Sequence, residues 1–184
     1  MTDRFPTIRT EGSILPADLL QRVAASDKSL AGLKPADYHL LEGEKLNEAT
    51  NRSWNRLLGV WGSFQKEVEK LPTGDIGTSV TRERWLLPLW QELGYGRLAA
   101  AEPIVIDDKT YPVSHGWQHA AIHLVGCRAD LDSRSKAKNG SSQPSPHSLV
   151  QELINRSERH LWAFVTNGFN LRILRDNNRL TRQA

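Results

Sequence analysis

The sequence predicts an α+β protein in which a helical N-terminal part precedes an α/β module. In the first part of the chain, apolar residues recur every three or four positions, as on one face of a helix. The second part contains short β-rich runs between turn signals, and its elements are ordered helix, strand, strand, helix, strand, strand. We therefore expect a flexible arm over residues 1–13, a helical region over 14–75 and an α/β module over 76–184.

The helical region contains two predicted helices. The first begins at Pro16, because a proline at the first helical position lacks an N–H that would otherwise need a partner. The second extends over 44–71 and ends before Pro72, which cannot continue the helical hydrogen bonding. Its apolar face is predicted to pack in the core or against another domain. That face contains Leu46, Ala49, Trp54, Leu57, Leu58, Trp61, Phe64 and Val68.

The α/β module is predicted to begin with an amphipathic helix. Thr81 is its expected N-cap, and Gly94 is expected to end it. Pro88 lies inside this helix and should kink it, because it removes one hydrogen bond. Two extended segments follow, over residues 97–113, with a turn at two aspartates, and over Ile122–Leu131.

The last part of the module combines a loop, a helix and a hairpin. Residues 133–146 are polar and contain glycine and proline, which predicts a mobile loop. A helix is expected to begin near Pro146. The dipeptide Asn167–Gly168 joins the runs Trp162–Thr166 and Leu171–Arg175, and this pattern is typical of a β-hairpin.

Composition excludes several classes of protein. The chain has 184 residues, 39% of them hydrophobic and 7% aromatic, which suits one domain with its own core. The single cysteine, Cys127, excludes internal disulfides and cysteine-ligated metal clusters, and we interpret it as a small buried side chain. The sequence has no secretory signal and no run of about 20 apolar residues, so we predict a cytoplasmic protein without a membrane span.

Positive charge is concentrated in the last third of the sequence. From Arg128 onward there are ten basic and five acidic residues, a net charge of +5, whereas the first 127 residues carry −2. Eight of the ten basic residues are arginines, whose planar guanidinium matches phosphate oxygens. This distribution indicates either a solvated basic face or a surface that contacts a polyanion.

Two sets of side chains are candidate metal ligands. His115, His119 and His123 are four residues apart and would share one face of a helix. Because the last of them lies in a predicted strand, we favour structural histidines over a metal site. Asp130 and Asp132 would share one face of a strand and could hold Mg²⁺, although we favour a polar strand end.

Several nucleotide-binding and catalytic motifs are absent from the sequence. It contains no P-loop, no glycine-rich dinucleotide fingerprint and no nucleophile elbow. It also lacks the Asn/Asp-Pro-Pro-aromatic tetrapeptide of amino-methylases. Local motifs therefore give no direct indication of an activity.

Longer phrases resemble one family of enzymes. WLLPLWQELGY over 85–95 resembles a helix of type IIG restriction–modification enzymes. The phrases over 148–155, 161–168 and 171–174 look like a second block of the same proteins. RSWNRLLGVW, HLVGCRADLD and LRILRDNNRLTRQA are most similar to large adenine methylases of anti-phage systems of the class 1 DISARM type. The resemblance covers residues 12–184.

In these enzymes the two blocks bracket a nuclease-like domain of the PD-(D/E)XK type, N-terminal to an adenine-specific DNA methyltransferase. The resemblance implies a restriction-endonuclease-like mixed sheet flanked by helices. It also implies departures: Pro112–Val113 stands where the family has Pro-Asp, and Gly126–Arg128 stands where it has Glu-X-Lys. Both metal carboxylates would then be missing, while Gln151 is similar to the family's glutamine on the following helix.

The resemblance implies a DNA-facing region of an adenine methyltransferase in restriction–modification or phage defence, not catalytic by itself. Its expected partners are DNA, the downstream methylase domain and other defence-system subunits. Its expected DNA contacts are Arg172, Arg175, Arg179 and Arg182. This segment would hold no cofactor, whereas the parent protein would use S-adenosylmethionine. The sequence ends at LTRQA, where related chains continue, so we expect an N-terminal segment of a longer protein.

Two alternatives belong to other functional classes. The first is a metal-dependent DNA endonuclease whose rearranged Mg²⁺ site includes Asp130 or Asp132. The second is a structural or protein-interaction module in which Trp54 and Trp61 pack on another domain.

Overall fold

A computed structural model describes residues 5–12, 14–16, 18–136, 140 and 142–176. Internal contacts divide the chain into two compact units, with the boundary between Trp54 and Asn55. The helices are α1 (Leu19–Ala24), a 3₁₀ turn (Pro35–Tyr38), α2 (Leu46–Glu69), α3 (Thr78–Thr81), α4 (Leu87–Trp90) and α5 (Pro146–Arg156). The strands are β1 (Ala99–Ala100), β2 (Ile104–Ile106), β3 (Lys109–Tyr111), β4 (His115–Trp117), β5 (Ala120–Leu124), β6 (Ser135–Lys136), β7 (Ser142–Gln143), β8 (Trp162–Thr166) and β9 (Leu171–Arg175).

The N-terminal unit consists mainly of turns. Helix α1 begins at Leu19, three residues after the predicted start at Pro16, which only accepts a hydrogen bond from the Leu19 N–H. The 3₁₀ turn begins at Pro35, and the Asp37 carboxylate accepts the Lys34 N–H at its start. None of the described side chains up to Trp54 is buried, so this unit has no core of its own in the described residues.

Helix α2 confirms the predicted long helix but only part of its predicted apolar face. Phe64 is buried, whereas Leu58 is exposed and Trp54 is 61% exposed. Trp61 lies in an aromatic cluster with Phe64, Trp85 and Phe169, the last of these in the β8–β9 turn. The packing predicted for the apolar face therefore occurs in the second half of the helix.

The aromatic cluster is tightly packed. The rings of Trp61 and Trp85 are 4.8 Å apart at an angle of 65°, and the rings of Trp61 and Phe169 are 5.4 Å apart. The Trp85 Nε1–H donates to the Gly168 carbonyl oxygen at 2.9 Å. These contacts join α2, the helix that follows it and the β8–β9 turn.

The predicted amphipathic helix is a composite of α3, a π-helical turn over Arg82–Leu86, α4 and a second π-helical turn over Gln91–Tyr95. The Leu87 N–H donates to the Arg82 carbonyl, five residues back, just before Pro88. The helix thus passes the proline by changing its hydrogen-bond register. Gly94, with φ of +87°, ends it as predicted.

The prediction that Thr81 caps this helix is wrong. The helix begins at Thr78 after Gly77, and Thr81 closes its first turn. The Thr81 hydroxyl is buried, donates to the Gly77 carbonyl at 2.7 Å and accepts the Cys127 N–H at 2.8 Å. Its side chain therefore joins the helix to the segment after β5 instead of satisfying a helix end.

The main sheet has five strands in the order β1-β4-β5-β8-β9. Strands β5 and β8 are parallel, and all other neighbours are antiparallel. This is a mixed sheet with flanking helices, so the α+β prediction is confirmed at that level. The predicted strand over Ile122–Leu131 is wrong at both ends, because β5 covers Ala120–Leu124 and the residues after it form an irregular segment.

Each face of the sheet is covered by a helix. Alternate residues of a strand point to opposite faces, so Ile122 and Leu124 pack under the composite helix with Leu86 and Trp90. Helix α5 covers the other face. The core on that side contains Tyr111, Val113, Ala121, Leu131, Leu149, Val150, Leu153, Ile154, Ala163 and Val165.

Two predicted turns and one predicted helix start agree with the structure. The β8–β9 hairpin turns in a four-residue loop that begins with Asn167–Gly168 and has a positive φ at Gly168, and the β2–β3 hairpin turns at Asp107 and Asp108, which both have positive φ. Helix α5 begins at Pro146, where the Ser145 hydroxyl accepts the Ser148 N–H. The segment predicted as a loop over 133–146 contains the short pair β6 and β7.

Candidate functional site

The segment Gly126–Arg128 stands where the resemblance implies a nuclease metal site, and it is packed against the chain before α3. A Cβ atom at Gly126 would lie 2.1 Å from the Ile76 carbonyl oxygen, so a side chain does not fit there. Cys127 is 8% exposed, as predicted for a buried thiol, and Val113 is 3% exposed in the core. Neither Gly126 nor Val113 has a side-chain oxygen, so these positions do not fit a Mg²⁺ site.

Arg128 caps the C-terminal end of α2. Its guanidinium donates to the carbonyl oxygens of Pro72 at 2.8 Å and Asp75 at 3.1 Å, and at longer range to those of Val68 and Leu71. The last carbonyls of a helix lack intrahelical partners and carry partial negative charge. The arginine at the position of the family's lysine therefore caps a helix.

Asp130 and Asp132 lie in bends after β5, not on a strand, so the prediction that they share a strand face is wrong. Asp130 accepts the Asp132 N–H and the Ser133 hydroxyl, and the hydroxyl contact is the main cause of its lowered pKa. Asp132 accepts two hydrogen bonds of 2.6 Å from Arg172, which lowers its pKa. Arg172, expected to contact DNA, is thus engaged by a carboxylate within the chain.

The other predicted contact residues are separated in the structure. Arg175 is exposed at the end of β9, and its guanidinium carbon lies 5.3 Å from the centroid of the Trp162 ring. Arg179 and Arg182 lie outside the described residues. Gln151 lies on α5, where its amide donates to the Asn155 side-chain oxygen.

The three histidines weighed as metal ligands are not on a helix, so that spacing argument does not apply. His115 lies in β4, His119 in the turn after it and His123 in β5. Burial lowers the pKa of His123 to about 4, helped by the charges of Arg82 and His115. No three His, Cys, Asp or Glu side chains in the described part of the chain are grouped as a metal site.

An open cleft of about 680 Å³, which no sequence motif predicts, lies at one end of the sheet. The β2–β3 hairpin, the β4–β5 turn and the segment after α5 form its walls. Arg156, Arg159 and His160 line it together with the acidic Asp107 and Glu158. The lining residues come from three separate segments, so no local spacing in the sequence could have identified them.

Two hydrogen-bond arrangements define the cleft wall. The Ser157 hydroxyl accepts the N–H groups of Arg159 and His160 and lies 2.7 Å from His160 Nδ1. On the adjoining surface, Glu152 accepts from the Tyr111 hydroxyl at 2.9 Å and pairs with Lys109, which lowers its pKa. The cleft wall is therefore held by contacts between β3, α5 and the segment after it.

No protein-family model, curated protein or solved structure matches the chain. Among the helices in the described ranges, none combines the length and apolar composition that crossing a bilayer requires.

Gly126→Ala is expected to destabilise the protein by about 1–3 kcal/mol, because the new methyl group must displace the Ile76 backbone. Gly62→Ala is the matched control, since a Cβ on that residue of α2 meets no atom within 4 Å. The control should gain roughly 0.5–1 kcal/mol from helix propensity. Urea unfolding of both variants measures the difference, and equal stabilities would contradict a close approach at Gly126.

The free energy of unfolding should fall as pH decreases from 6.5 to about 4, partly through His123. Its folded pKa is lowered, so the unfolded chain binds the proton first, and the stabilisation is complete only above pH 6.5. His123→Gln should flatten this dependence by up to about 1.4 kcal/mol per pH unit. Gln65→Ala, an uncharged substitution at an exposed position of α2, should leave the slope unchanged in urea unfolding across the same pH range.

Proposed function

We propose that this chain is a DNA-contacting, non-catalytic region of a cytoplasmic adenine-specific DNA methyltransferase in restriction–modification or phage defence. The proposal combines the family resemblance with the packing around Gly126–Arg128. In the parent protein, a downstream domain would bind S-adenosylmethionine and transfer its methyl group to adenine. The region itself would bind DNA and dock on that domain and on other defence subunits.

The packing of Gly126 is the observation that carries the non-catalytic part of the proposal. A metal-dependent nuclease needs carboxylates that hold the ion beside the scissile phosphate. At Gly126 the Ile76 carbonyl occupies the space of a side chain, and Arg128 is directed at the end of α2. A fold of this class that has lost its ligands can still present a surface to DNA, since binding needs only complementary charge and shape.

The alternative functions have less support. In the rearranged endonuclease, Asp132 would ligate Mg²⁺, but its carboxylate is held by both nitrogens of the Arg172 fork. In the interaction module, Trp61 would pack on another domain, but it packs on Trp85 and Phe169 of this chain. Trp54 is exposed, so the interaction-module interpretation keeps its support at this residue only.

Arginines of β9 support the DNA-binding part of the proposal. Arg175 is exposed, and its guanidinium lies over the Trp162 ring, so this cation is available at the surface for a phosphate. Arg172 holds Asp132 in the geometry with which arginine binds a phosphate. A DNA phosphate could therefore replace the Asp132 carboxylate with little change in the arginine.

Duplex DNA binding by the full chain should weaken steeply with salt, because bound phosphates release counterions. Arg175→Ala should weaken binding and reduce the slope of log K against log salt by about 1. Lys28→Ala, which removes one charge from the N-terminal unit, serves as the control. Fluorescence anisotropy with a labelled duplex measures both quantities, and a flat salt response of the wild-type chain would sink the DNA-binding proposal.

Asp132→Asn should tighten duplex binding by about threefold or more, because it removes the negative charge with which a phosphate would compete for the Arg172 guanidinium. Asp130→Asn is the matched control, since it changes the net charge equally but Asp130 receives its hydrogen bonds from Asp132 and Ser133. The same anisotropy titration compares them. Equal gains in the two variants would indicate a general charge effect instead of a contact at Arg172.

A further inference from the structure

One end of the five-stranded sheet carries a row of side chains that the proposed function does not use. In the strand register, Trp117 of β4 is opposite Ala120 of β5, which is opposite Trp162 of β8, which is opposite Arg175 of β9. Residues in register on neighbouring strands project from the same face of a sheet. These four residues, here called the tryptophan row, therefore cross the sheet side by side.

The two indoles of the tryptophan row are held differently but both reach the surface. Trp117 is 37% exposed, and the Tyr95 ring packs edge-on against it at 4.9 Å. Tyr95 in turn packs on buried Trp90 at 4.7 Å, so Trp117 is supported by the core. Trp162 is partly exposed under the Arg175 guanidinium. Ala120 lies between the two tryptophans and has only a methyl side chain. The row therefore has one aromatic ring on each side of a small residue.

Two arginines, Arg159 and Arg175, lie at the same end of the sheet, where the cleft lining also combines Arg156 and Arg159 with the acidic Asp107 and Glu158. Ala120 also lines the open cleft, whose lining includes Arg159 and His160. Burial lowers the pKa of His160, helped by the charges of Arg159 and of His119 in the turn that follows Trp117. Glu158 is the acidic residue between these groups in the sequence. Exposed aromatic rings and cations thus occur together here, in the combination that binds unpaired nucleic acid strands.

We infer that the tryptophan row and the adjoining cleft bind single-stranded DNA, with bases stacked on Trp117 and Trp162 and phosphates bound by Arg159 and Arg175. The inference rests on the proposed function and adds the state of the DNA. In a duplex, neighbouring base pairs cover the faces of each base, so an indole can stack only on bases that have left the helix. Base flipping by a methylase produces such bases next to the protein.

The test compares a labelled oligothymidine of about 12 nucleotides, within the usual range of binding-site sizes, with a duplex of similar length. The full chain should bind the single strand more tightly than the duplex at the same salt concentration. Trp117→Ala and Trp162→Ala should each weaken single-strand binding by about fivefold or more, while duplex binding changes little. Trp54→Ala, which removes an indole that is 61% exposed in the N-terminal unit, should leave both affinities unchanged.

Conservative variants keep the test valid if an alanine variant fails to fold. Trp117→Phe and Trp162→Phe retain a stacking ring and should retain most of the single-strand affinity. A fall of the same size in Trp54→Ala, or unchanged affinity in folded alanine variants, would overturn the inference. Salt-dependent duplex binding without preference for the single strand would overturn the inference and leave the proposed function standing. Binding of neither DNA at low salt would overturn both.

Discussion

Parallel pairing between β5 and β8 imposes most of the architecture of the second unit. Five consecutive register pairs join Ala120–Leu124 to Trp162–Thr166. Parallel neighbours cannot be joined by a tight turn, so the chain must cross one face of the sheet, and α5 is that crossover. The opposite face then needs its own cover, which the composite helix provides. Because parallel strands begin at the same end, Ala120 and Trp162 become neighbours there, and the tryptophan row follows from this pairing.

The chain leaves β5 at the other end of the sheet, where the residues after β5 make packing contacts and hydrogen bonds. Gly126 passes within contact distance of the Ile76 backbone, the Cys127 N–H donates to Thr81, and Arg128 caps α2. Each contact joins the segment after β5 to the region between α2 and α3. A carboxylate at Gly126 would have to push these backbones apart. Close packing of the two segments therefore leaves no room for a side chain at Gly126.

Local sequence chemistry predicted those elements whose cause lies within a few residues. The Asn167–Gly168 hairpin, the start of α5 at Ser145 and Pro146, and the end of the composite helix at Gly94 all depend on the conformational preferences of single residues. Thr81 misled the prediction because its hydroxyl bonds Cys127, which lies 46 residues away. Competition from a distant partner is invisible in local spacing.

The same limit applies to the candidate site. Asp132 and Arg172 are 40 residues apart, and only the fold brings the carboxylate to the guanidinium. The predicted strand over Ile122–Leu131 begins two residues after the start of β5 and ends seven residues after its end. The register that aligns Trp117 with Trp162 could therefore not be derived from the sequence. The resemblance identified the segment Gly126–Arg128 as a departure from a nuclease. The use of Arg128 as a helix cap depends on where α2 ends in space.

The aromatic cluster gives this protein a built-in optical probe. The indoles of Trp61 and Trp85 lie 4.8 Å apart at an angle of 65°, close enough for their electronic transitions to couple. Coupled transitions of two chromophores at a fixed oblique angle produce paired circular-dichroism bands of opposite sign, which vanish when the rings move independently. Because α2 and the composite helix contribute one indole each, these bands report on the mutual fixation of these two elements. Helices and strands without fixed packing of the two indoles would not produce these bands.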